Sequence, residues 1–200
     1  MISPEKRLYL ASQSPRRAQL LEQINVGFEL LAVEVDETPR EQEKAIDYVE
    51  RLAVAKARAG WKQLDSLPLS RCRLPVLGAD TTVVLDGQIL GKPINRENAV
   101  AMLKALSANT HQVMTAVCLY YGGLQLSTVI VTDVVFRAMT EREISDYWDS
   151  GEPQDKAGSY AIQGLGAFFI EHVQGSYSAV VGLPLAQTYL LLEEIEQEIR

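Results

Sequence analysis

Ser12-Gln13-Ser14-Pro15-Arg16-Arg17 joins a short apolar run at 8–11 to an amphipathic stretch at 16–24. If a strand enters a helix there, the first helical amides have no intrahelical partners. With two hydroxyls and two guanidinium groups beside them, they make a cradle for phosphate oxygens. Ser14 is the expected N-cap and Pro15 the first helical residue. A plain capped helix with two solvated arginines fits the segment equally well.

Carboxylates recur where predicted elements stop. Glu34, Asp36 and Glu37 close a second predicted strand at 28–35. Asp80 lies inside Leu77-Gly78-Ala79-Asp80-Thr81-Thr82-Val83-Val84, a run otherwise apolar or small. A charge there is costly unless it is paired or bound to a metal. Asp80 is therefore the leading candidate for chemistry, the alternative being an acid satisfied by backbone amides or an arginine. Lys56, Lys92 in Gly91-Lys92-Pro93, and Lys156 in Asp155-Lys156-Ala157-Gly158 could each neutralise a polyphosphate as a point charge. Taken singly, each also fits a solvated surface lysine.

Other chemistries find little support. His111 and His172 are far apart and lack ligand spacing, which argues against zinc. There is no Gly-x-x-x-x-Gly-Lys-Ser/Thr loop and no Gly-x-Ser-x-Gly elbow. Cys72 and Cys118 form no Cys-x-x-Cys pair and read as small apolar fillers or plain thiols, in keeping with a reducing compartment. What remains is carboxylates with cations, without a nucleophile triad.

The elements that must position these groups follow from pattern. Residues 45–64 read as a long helix with Ile46, Val49, Leu52, Ala53 and Ala57 on its apolar stripe. Residues 66–74 read as a loop and 75–85 as a buried strand, which turns at Asp86-Gly87 into a return strand. A helix is expected at 96–106, then strands at 112–121 and 124–136 joined through Gly122-Gly123. Thr140 and Glu143 form a capping box that opens a short helix ending near Gly151. The stretch 153–166 is glycine-rich and aperiodic, 167–173 and 177–182 read as strands, and Pro184 begins a helix running close to Arg200. That helix carries Leu185, Leu191, Leu192 and Ile195 among its apolar positions. The sum is a mixed α/β fold, treated as one domain over 1–200 with two lobes around a cleft as an option.

Bulk composition agrees with a folded enzyme-sized unit. The chain has 200 residues, 47% hydrophobic and 22% charged, and a formal net charge of -7. That charge disfavours a general nucleic-acid coat, so a phosphate ligand must meet a local cluster of cations. Residues 1–7 carry charge and a proline where a signal peptide has an apolar run, and nothing approaches a membrane span. A cytoplasmic location is expected.

Seven segments belong together: Leu8-Tyr9-Leu10-Ala11-Ser12-Gln13-Ser14-Pro15-Arg16-Arg17, Val35-Asp36-Glu37, Ala55-Lys56-Ala57, Gly78-Ala79-Asp80-Thr81, Gly91-Lys92-Pro93, the run from Asp155 to Gly164, and Val181-Gly182-Leu183-Pro184. Each is weak alone; in this order they are highly specific, and the chain that carries them resembles the Maf family of nucleoside triphosphate pyrophosphatases. The resemblance implies an α/β fold with a mixed sheet, flanking helices and a large central cleft, similar to the house-cleaning pyrophosphatases that act on inosine triphosphate. It implies a homodimer as an option, and a divalent cation (Mg²⁺, Mn²⁺ or Co²⁺) held by Glu37 and Asp80, with Asp80 as proton acceptor. Ser12, Arg16, Arg17, Lys56, Thr81, Lys92, Lys156 and Gln163 become the substrate-binding set. Arg17, Thr81 and Gln163 match members that cleave thymidine and uridine triphosphates. The alternatives are a 7-methylguanosine triphosphate pyrophosphatase and a non-catalytic nucleotide-binding regulator of cell division.

Overall fold

The computed structural model describes residues 6–65 and 74–199. Seven strands form one mixed sheet, in the order β2-β1-β3-β5-β6-β7 with β4 paired to β3. The strands are β1 (Lys6–Ala11), β2 (Gly27–Leu30), β3 (Val76–Leu85), β4 (Gln88–Leu90), β5 (Thr110–Tyr121), β6 (Leu124–Phe136) and β7 (Ile170–Gln174). The helices are α1 (Pro15–Gln23), α2 (Ala45–Asp65), α3 (Arg96–Leu106), α4 (Glu141–Asp149), α5 (Tyr177–Val181) and α6 (Leu185–Ile199). This is the mixed α/β class expected, with helices flanking the sheet.

Two compact units share the chain. One comprises the described residues up to Asp80, Thr115–Ile130 and those from Gly182; the other is Thr81–Met114 with Val131–Val181. In the first unit β1 pairs in parallel with both β2 and β3, and Tyr9, Ala11, Val33, Trp61, Leu64 and Val76 form a buried cluster. Helix α2 lies very close to this sheet. A Cβ on Gly78 would fall 2.2 Å from the Ala53 carbonyl oxygen and 2.5 Å from the Ala57 nitrogen, and one on Gly60 would meet Val76 at 2.8 Å. Only small residues at 53, 57, 60 and 78 permit that approach. Arg7 of β1 meets α6 through a forked contact, its Nε 2.8 Å from Glu196 Oε1 and its Nη2 2.7 Å from both Glu193 Oε1 and Glu196 Oε2.

In the second unit β3–β4 and β6–β7 are antiparallel. The core there includes Val83, Leu103, Phe136, Ile144, Tyr147, Tyr160 and Phe169. Local chemistry sets the element ends. Asp86 (φ 49°) and Gly87 (φ 77°) make the tight turn between β3 and β4. The Asn95 side chain accepts from the Asn98 amide at 2.8 Å and starts α3. Thr140 and Glu143 form the reciprocal capping box of α4, as anticipated.

Four local readings need correction. The second strand was expected to reach residue 35 but β2 stops at Leu30, because its partner β1 ends at Ala11 and the last backbone bond is Leu31 N–H to Leu10 C=O. Leu31 and Val33 are apolar because they pack beside Trp61, without a ladder. Residues 177–182 are not a strand: Tyr177–Val181 is helical, started by Ser176, whose Oγ accepts from the Ala179 amide at 3.2 Å. The strand expected at 167–173 begins only at Ile170, since Leu165–Phe169 winds as a 3-10 turn. Ile46, placed on the buried stripe of α2, is 41% exposed, whereas Val49, Leu52, Ala53 and Ala57 are buried. Cys118 is buried; Cys72 and all but residue 74 of the loop expected over 66–74 lie outside the described residues.

Candidate active site

Asp80 joins the predicted residues of the first unit. It sits on β3 at 8% exposure, and its Oδ1 lies 2.7 Å from Lys56 Nζ. The same ammonium is 2.6 Å from Glu37 Oε1. Lys56 thus stands between two carboxylates, with its own side chain and that of Asp80 nearly buried and that of Glu37 half exposed. The glycine at 78 makes this possible: with α2 and β3 touching by backbone, Lys56 reaches the residue two positions further along the strand. Burial raises the pKa of Asp80; the positive charges of Lys56 and Arg17 oppose the rise, and Glu37 adds to it.

Glu37 comes from an irregular segment tied to α2. Tyr48 Oη donates to the Glu37 carbonyl at 3.0 Å, and Arg51 Nη2 donates to the Thr38 carbonyl at 3.2 Å. Arg51 also grips Glu43 by a fork, Nε to Oε1 at 2.6 Å and Nη2 to Oε2 at 2.7 Å. Asp36 turns inward on its own segment and accepts from the Thr38 amide at 2.9 Å. Tyr48 and Arg51 were not picked out from the sequence. Their signal was available, because Tyr48 lies two helical turns before Lys56 and so shares its face of α2.

At the first junction, Ser14 occupies the N-cap of α1 with Pro15 following, but its hydroxyl makes no capping bond. Ser12 is buried, and its Oγ accepts from the Ser14 amide at 3.2 Å and from Arg17 Nη1 at 3.0 Å. Arg17 is buried as well, and its Nε donates to the Gly182 carbonyl at 2.8 Å. That contact gives Val181-Gly182-Leu183-Pro184 a structural part in the site, which its sequence did not disclose. Burial lowers the pKa of Arg17 and the neighbouring charges of Asp80 and Glu37 offset this, which places the guanidinium in their field. Arg16 is half-buried on the same turn. Ser12, Arg17, Glu37, Lys56 and Asp80 are therefore joined by contact or by charge within one unit.

The other four predicted residues belong to the second unit. Thr81 is half-buried on β3 and Lys92 is exposed just after β4. The backbone brings the Lys92 and Lys156 segments together, since the Gly158 amide donates to the Gly91 carbonyl at 3.0 Å. Gly158 has φ 66°, and a Cβ there would lie within about 3 Å of Val83, so the segment needs glycine on both counts. Lys156 pairs with Asp155. Gln163 is exposed in the bend before the 3-10 turn at Leu165–Phe169.

A dTTP/UTP pyrophosphatase of Pasteurella multocida is 51% identical over 197 residues, covering 96% of this chain and 98% of that protein. One from Escherichia coli O157:H7 is 53% identical over 185 residues, 92% of this chain and 91% of its own. One from Chromobacterium violaceum is 46% identical over 199 residues, the whole of both. The family model described as Maf-like protein matches residues 7–195, a span that holds every residue of the predicted site, and by that match and these relatives the chain belongs to the Maf family.

Proposed function

We propose that this chain hydrolyses dTTP and UTP to the nucleoside monophosphate and pyrophosphate. The observation that carries the reading is the buried Asp80 carboxylate facing Glu37 across the Lys56 ammonium, in a chain about half identical to proteins named dTTP/UTP pyrophosphatase. Glu37 and Asp80 offer the hard oxygen donors that Mg²⁺, Mn²⁺ or Co²⁺ favours once Lys56 yields the place between them, with phosphate oxygens and water to complete the set. Glu37 and Asp80 would hold the ion, which would supply Lewis-acid polarisation of the phosphate.

The chain's own residues account for the rest. Asp80 accepts a proton from water as the water oxygen bonds to the α-phosphorus; the α–β bridging bond breaks, and its electron pair leaves with pyrophosphate. Burial favours this role because it makes Asp80 a stronger base than an exposed carboxylate. Lys56, Arg16, Lys92 and Lys156 neutralise the phosphates, and Ser12 with the start of α1 orients them. Arg17, Thr81 and Gln163 select the base. Gln163 suits this work because its carboxamide offers one donor and one acceptor to a pyrimidine edge.

Asp80→Asn tests the assignment. It keeps the shape and removes the base, so kcat for UTP should fall by about a hundredfold or more. Near-normal turnover would overturn the role of Asp80. Saturable nucleotide binding by the unaltered protein without pyrophosphate release would favour a regulator, and a preference for 7-methylguanosine triphosphate would overturn the pyrimidine reading.

A further inference from the structure

A cluster outside the predicted set surrounds Gln163. The half-buried Glu152 carboxylate accepts three hydrogen bonds: its Oε1 from Tyr147 Oη at 2.7 Å and the Gly166 amide at 2.9 Å, its Oε2 from the Leu165 amide at 2.9 Å. Tyr147 Oη in turn accepts from the Ala161 amide at 3.2 Å. The contacts therefore grip the backbone on both sides of Gln163, at 161 before it and at 165 and 166 after it. Tyr147 itself is fixed, with 4% exposure and its ring edge-on to Phe169 at 5.2 Å.

Two glycines make room for this cluster. Gly164 has φ 133°, and a Cβ there would fall 2.2 Å from Glu152 Oε2. At Gly166 a Cβ would fall 2.4 Å from the Ala161 carbonyl oxygen and 2.6 Å from Tyr147 Oη. Gly164 thus admits the carboxylate, and Gly166 admits the Tyr147 hydroxyl beside it.

We infer that Glu152, acting with Tyr147, is a positioning residue for base selection, holding the 161–166 backbone so that Gln163 meets the pyrimidine at a fixed place. This rests on the reading of Gln163 as a base contact. The chemistry favours it for a specific reason. A carboxamide can pair with the N3–H and O4 of uracil and, turned over, with the complementary edge of cytosine, so preference depends on how its backbone is held as well as on the side chain.

Glu152→Gln is the informative substitution. It is isosteric, but its amide nitrogen must face an amide N–H or the Tyr147 hydroxyl, where the carboxylate accepted from all three. The test compares kcat and KM for UTP, dTTP and CTP in Glu152→Gln, Gln163→Ala and the double variant, with amide hydrogen exchange at 165 and 166. Glu152→Gln should raise KM for UTP about tenfold with kcat within about twofold, narrow the UTP over CTP preference, and speed exchange at both amides. The double variant should discriminate no worse than Gln163→Ala, because Glu152 acts through Gln163. If Gln163→Ala leaves the nucleotide ranking unchanged, both readings fall. If it alters the ranking while Glu152→Gln does not, or if the two effects simply add, the inference about Glu152 is overturned and the role of Gln163 stands. Should Glu152→Gln fail to fold, Tyr147→Phe removes one hydroxyl only; an unaltered ranking in that variant also overturns the inference.

Discussion

His111 shows how a single side chain can couple the fold to pH. It is 1% exposed, its Nε2 lies 2.7 Å from Tyr160 Oη, its Nδ1 has no hydrogen-bond partner among the described residues, and the Phe136 and Tyr160 rings stand edge-on to it. Burial lowers its pKa from 6.5 to about 4. In the unfolded chain the ring takes its proton near pH 6.5, while the folded chain resists until about pH 4, so protons favour unfolding throughout that window. Stability should decline as pH falls from 6.5 to 4, by up to about 3 kcal/mol, and this contribution should be absent from the slope above and below. Denaturant melts across the window check it, with His111→Phe expected to remove that part of the pH dependence. The spacing of His111 from His172 argues against a metal site, and says nothing of burial. Asp80 was legible by the opposite logic: a charge amid apolar and small residues demands a reason.

At the scale of elements, Gly78→Ala puts a methyl group against the backbone of α2, where no rotamer change can make room. Overpacking of this kind costs about 1–3 kcal/mol. Because the strain falls between Lys56 and Asp80, kcat should also drop, and more than in a surface control such as Ala186→Gly; thermal melts and UTP turnover measure the two effects. Elements with strong local signals were readable from sequence: α4 by its capping box and the β3–β4 turn by Asp86-Gly87. Readings failed where tertiary partners decide. Val33 has a strand-like residue type, but the last backbone bond to β1 is made at Leu31. Residues 177–181 carry valines that suit a strand, yet the cap at Ser176 makes a helix. Tyr147 and Glu152 gave no period or motif, since their contacts reach 13 to 14 positions along the chain.

For the molecule as a whole, the net charge of -7 makes the internal compensation of Glu37 and Asp80 by Lys56 important. Removing the lysine would strand the buried Asp80 charge, at a cost of about 3–5 kcal/mol. Arg17 adds a second positive charge in the field of both carboxylates, so Lys56 and Arg17 together balance the two acids without an ion. Removing divalent ions with a chelator should abolish UTP hydrolysis while shifting the melting temperature by no more than about 2 °C; loss of folded signal with the chelator would contradict this. Among the described residues no helix is long and apolar enough to cross a membrane. The forked contact of Arg7 with Glu193 and Glu196 has a consequence of its own. It staples β1 to α6 across some 190 positions of the chain, so Arg7→Ala should loosen the grip of α6 on the sheet without touching any residue of the candidate site.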